Sequence, residues 1–69
     1  MNEKDLLNKN KALVNTRQLW EPFQELMKER LETLRVRLEK APDEVAVYRL
    51  QGEIANVRWL LGLRERVNG

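Results

Sequence analysis

The sequence predicts an all-α chain: an antiparallel helical hairpin with a short N-terminal helix or arm, completing a bundle by self-association. Three observations lead there. Apolar residues recur at intervals of three and four along two long stretches, the spacing of one face of an α-helix. The stretches are joined by Lys40, Ala41, Pro42, Asp43 and Glu44, a joint too short to let the helices separate. The two apolar stripes also mirror each other across that joint.

Residues 1–19 form the arm. Asn2 suits the cap of a short helix, and Glu3 and Asp5 suit its first turn, where the helix dipole favours acids. Leu6, Leu7, Leu13 and Val14 give a seven-residue apolar repeat, while Asn8, Asn10 and Asn15 lower the helix propensity. Two readings stay open here: a short helix that needs a surface to lie on, or a solvated tail carrying Lys4, Lys9 and Lys11.

The hairpin occupies residues 20–67, with helices at about 20–40 and 43–66. Pro22 lacks an amide hydrogen and disfavours helical geometry in the residue before it, so the first long helix should begin near Trp20 to Pro22. Its stripe is Trp20, Phe23, Met27, Leu31, Leu34 and Leu38, with Leu26 near the edge. Between these lie charged residues whose one-turn pairs, Lys28 with Glu32 and Arg35 with Glu39, mark a solvated face. Lys40 suits a helix C-terminus, Pro42 the first position of the next helix, and Asp43 with Glu44 its first turn.

In the second helix Val47, Leu50, Ile54, Val57 and Leu61 form the seam. Both helices rise equally per residue, so partners across a hairpin should have residue numbers that add to a constant. Leu38 with Val47, Leu34 with Leu50, Leu31 with Ile54, Met27 with Val57 and Phe23 with Leu61 satisfy this to within one residue. Trp20 then faces Arg64, whose guanidinium could lie on the indole.

The second helix carries more apolar surface than one neighbour can cover. Tyr48, Gly52, Ala55, Trp59 and Gly62 run beside the seam and alternate aromatic bulk with small residues, and Leu60, Leu63 and Val67 add a further strip. A hairpin of this size buries too little apolar surface to offset the ordering of its chain. Two coverings are available: the arm folding over as a third helix, or another chain against the Tyr48 face. The expected partner interface is Tyr48, Gly52, Ala55, Trp59, Leu60 and Leu63, with a dimer favoured. Gly52 would be a packing glycine there, accepted at a helix-propensity cost of about 1 kcal/mol.

Composition removes most chemistry. Cys, His and Ser are all absent, which takes away the usual general base, thiolate and imidazole metal ligands, and the two commonest nucleophiles. No enzyme, cofactor or metal site is expected. The 13 basic and 11 acidic residues are interleaved, for a net charge of +2, without the acid-free basic face that nucleic-acid binding uses. No stretch approaches the roughly 18 apolar residues of a membrane span, and the N-terminus lacks a signal-peptide core. A soluble cytoplasmic protein is the expectation.

The run Tyr48-Arg49-Leu50-Gln51-Gly52-Glu53-Ile54, preceded by Trp20-Glu21-Pro22-Phe23 at the head of a charged helix, resembles small proteins encoded in tailed-bacteriophage genomes. Those carry an RLQG segment in the second of two helices and have no assigned activity. The resemblance covers about Trp20 to Arg64 and implies an accessory or virion-assembly role in the host cytoplasm or the virion, with Gln51 and Gly52 as marked positions and no residue of defined chemistry.

Three functions follow as expectations. The first is a non-enzymatic, self-associating structural or adaptor protein. The second is a binder of another phage protein or a host protein, docking its second helix in a groove. The third is weak nucleic-acid binding through Lys4, Lys9, Lys11 and the arginines.

Overall fold

A computed structural model describes residues 2–69 and is all-helical, with two long helices packed against each other. Five helices follow one another: α1 (Glu3–Asn8), α2 (Lys11–Asn15), α3 (Arg17–Glu39), α4 (Glu44–Leu61) and α5 (Leu63–Asn68).

The arm is helical in two short pieces. Extended Asn2 caps α1, its side chain accepting from the Asp5 N–H at 2.9 Å. Asn10 closes the other end by donating its amide to the Leu6 carbonyl at 2.9 Å, and α2 starts immediately afterwards. Helices of five or six residues do not persist alone. These are held by burial of Val14, by partial burial of Leu7 and Leu13, and by reciprocal bonds between the Asn15 and Asn68 side chains at 2.8 and 3.0 Å. The last pair ties the end of α2 to the last turn of α5.

α3 begins at Arg17, not at Trp20 to Pro22, and carries Pro22 in its second turn. So near the start of a helix, proline removes a single bond, the one Gln18 would accept, and exposed Gln18 can turn that carbonyl to water. The turn before Pro22 is fixed from both sides, by burial of Trp20 and by an Arg17–Glu21 ion pair at 2.7 Å. Of the expected charge pairs, Arg35 turns to Glu32 at 4.0 Å in place of Glu39, and Lys28–Glu32 does not form.

α4 starts one residue later than expected. Asp43 is the cap, accepting from the Ala46 N–H at 2.9 Å, which leaves Pro42 just outside the helix. At the far end the predicted single rod is broken. Gly62 has φ −88° and ψ 8°, and its N–H reaches the carbonyls of both Arg58 and Trp59 at 3.1 Å. The helix pauses there and α5 begins at Leu63.

That break divides the core in two. Along the seam, Leu34, Ile54 and Val57 are buried, with Met27, Leu31, Leu38, Leu50 and Leu61 packed around them. Val47 is half-buried near the turn. At the open end of the hairpin, Val14, Trp20, Leu63 and Val67 form a second core with Leu7, Leu13, Phe23 and Trp59. Trp20 and Phe23 therefore serve the arm and α5, not the seam to which their spacing assigned them. Nor does Arg64 stack on Trp20; it lines a shallow groove beside it, while Arg66 lies over Trp59 at 5.0 Å from the ring centre.

The molecule measures 41 × 27 × 15 Å. Since the Cα cylinder of one helix is about 4.6 Å across and packed helix axes lie about 8–10 Å apart, the shortest dimension holds about two helices.

Candidate functional site

The six residues expected at a partner interface separate into two groups. Leu63 is buried in the end core, Trp59 is half-buried against it, and Leu60 is half-buried. Trp59 and Leu63 line one groove with Glu3, Leu6, Leu7 and Asn10, so the protein's own arm takes this part of the surface. The arm reaches this apolar strip readily because it is tethered beside it.

Tyr48, Gly52 and Ala55 remain exposed, Tyr48 at 67%. Val45, 59% exposed, joins them. Spacing of three and four residues places all four on one side of α4, while Ile54 and Val57, buried against α3, lie on the other. Sequence reasoning missed Val45, although its position three residues before Tyr48 was the available signal.

Gly52 occupies the middle of α4, where glycine costs about 1 kcal/mol relative to alanine. Nothing within the chain accounts for it. Its φ is not positive, and apart from its own stretch of helix backbone a Cβ built on it would meet no atom within 4 Å. The close helix approach expected at Gly52 is therefore not made inside this molecule.

Charge and shape flank the bare strip. Glu44 and Arg58 are exposed on the same edge, and among the described residues neither makes an ion pair. Beside Ala55 a groove of about 440 Å³ opens between α3 and α4, lined by Arg35, Leu38, Gln51, Ile54, Ala55 and Arg58. A second exposed apolar strip, Leu19, Pro22 and Leu26, runs along the start of α3.

No polar or charged side chain among the described residues is buried, so the desolvated acid or base on which catalysis commonly relies does not occur there. No three carboxylates among them converge as a metal site would require. No helix among them is long and apolar enough to cross a membrane. What the site offers is contact area. No family model, curated protein or solved structure matches the chain.

Proposed function

We propose that this chain is a non-enzymatic interaction module that self-associates through the outward face of α4 and serves as a structural or adaptor part. One observation carries the reading: Val45, Tyr48, Gly52 and Ala55 form a continuous bare strip whose central glycine has no role in the chain's own packing. Exposed large apolar residues in line with a helix-weakening glycine are what a closely approaching helix requires on the surface it meets. The absence of His, Cys and Ser, together with the lack of buried ionisable groups among the described residues, supports a binding role over a catalytic one. The resemblance of the RLQG segment to small tailed-phage proteins supports placing that role in particle assembly or an accessory function, in the host cytoplasm or the virion.

Light scattering on a sizing column tests the reading. The unaltered chain should show a mass that rises with loading concentration. Gly52→Leu, which puts a bulky side chain into open space and leaves the monomer intact, should hold the mass at that of one chain. An unchanged rise in Gly52→Leu would remove this face from the interface.

A further inference from the structure

We infer that the occupant of the α4 face is a second copy of this chain, laid antiparallel on the first, with the two-fold axis passing beside Gln51 and Gly52. The inference rests on self-association as proposed above and adds the orientation and register of the pair.

The length of α4 left bare sets the centre. The arm takes the helix from Trp59 onward, so the free segment runs from Glu44 to Arg58. Its midpoint is Gln51, next to the glycine. A second helix crossing at that midpoint uses the whole free length. By symmetry a shift acts on both ends alike: in one direction each copy's Glu44 end runs against the arm of the other, and in the opposite direction each copy's Arg58 end is left bare.

Charge independently selects the same register. In a two-fold antiparallel pair each edge of a helix meets the same edge of its copy. Residues that face each other then have numbers adding to a constant, as in the hairpin itself. With the axis beside Gln51 and Gly52, Glu44 of one copy meets Arg58 of the other, and symmetry makes the pair twice. Both are exposed and lack an ion partner among the described residues. A parallel two-fold pair would instead carry this edge of the copy to the opposite side of the interface, where Glu44 and Arg58 meet neither each other nor themselves.

Shape fits to within one residue of this register. Tyr48, the most exposed large apolar residue among the described residues, falls opposite Ala55 of the copy. The small alanine side chain leaves room for the ring to lie against α4. Gly52 falls opposite Gln51 or Gly52 of the copy, and its missing side chain lets the backbones approach at the axis. Because the bare strip lies on the far side of α4 from α3, the four long helices stand in a row. A square four-helix bundle would need the strip on the flank of the seam.

Disulfide trapping tests orientation separately from association. The chain has no cysteine, so introduced thiols are the only ones present. Tyr48→Cys and Ala55→Cys chains, each alone and mixed in equal amounts, are oxidised under mild conditions while the mass of the unaltered chain is followed in parallel. Antiparallel pairing predicts a cross-linked dimer in the mixture and little in either chain alone. Like positions then sit seven residues apart along the axis, about 10 Å, beyond the roughly 7 Å a disulfide spans between Cα atoms. Cross-linking of Tyr48→Cys with itself would overturn the orientation, as would no cross-linking in any sample while the unaltered chain still associates. A chain that stays monomeric throughout would instead overturn the parent reading of self-association.

Charge reversal gives a second test without touching the apolar strip. Glu44→Arg and Arg58→Glu should each weaken association about tenfold, since each replaces two attractive contacts by two repulsive ones. The double variant Glu44→Arg/Arg58→Glu should recover association to within about threefold of the unaltered chain. Failure of the double variant to recover would refute the register.

Discussion

Replacing Gly52 by alanine should make the isolated fold more stable. Gly52 is interior to α4, and its φ is in the range any residue adopts. Apart from its own stretch of helix backbone, an added methyl group would meet nothing within 4 Å, so no steric cost opposes the change. What remains is the gain in helix propensity and the loss of unfolded-state freedom, together about 0.5–1 kcal/mol. For a chain of this length, whose total stability is on the order of 3–10 kcal/mol, that is a large fraction. It corresponds to a rise in Tm of roughly 3–8 °C. Thermal melts followed by far-ultraviolet circular dichroism in dilute solution, where single chains dominate, measure it directly. At high concentration the gain should shrink, because a methyl group at a close helix crossing separates the two backbones. A lowered Tm in dilute solution would mean that Gly52 serves the monomer after all, and the argument for a bare face would lose its main support.

Other substitutions probe the rest of the architecture. Leu34→Ala empties a site at 0% exposure between α3 and α4 and should cost about 2–5 kcal/mol in urea unfolding, whereas Leu26→Ala at 61% exposure should cost under about 0.5 kcal/mol. Val14→Ala removes the fully buried anchor of the arm; the loss of about 2 kcal/mol should appear first as protease cleavage within residues 2–15 and a red shift of Trp59 emission, before the hairpin melts. Asp43→Ala deletes the α4 cap bond to Ala46 and should lower stability by about 1 kcal/mol, with Asp43→Ser recovering most of it.

The parts of this structure that were legible in the sequence are those fixed by periodicity. Two stripes of matched spacing around a short joint admit one antiparallel arrangement, and the residues of the seam core, Leu34, Ile54 and Val57 among them, all came from those stripes. Asn2 was likewise visible as a cap from its place before an acidic turn. What escaped was decided by competition between neighbours. Pro22 argued for a helix start at its own position, but packing of Trp20 outweighed one lost hydrogen bond. Gly62 stood in line with Tyr48 and Gly52 as another small residue, and spacing alone could not show that it ends one helix and begins another. The strip from Trp59 to Leu63 announced that it needed covering without saying by what. A covering segment of the same chain has the advantage of high effective concentration, and so the arm lies there.

The proposed pairing sets a second copy on the bare strip of α4. Sedimentation equilibrium over a wide concentration range tests that most directly. The predicted result is a mass near 8.2 kDa in dilute solution, rising toward twice that value on concentration and falling back with Gly52→Leu. A mass fixed at one chain up to millimolar protein would contradict it.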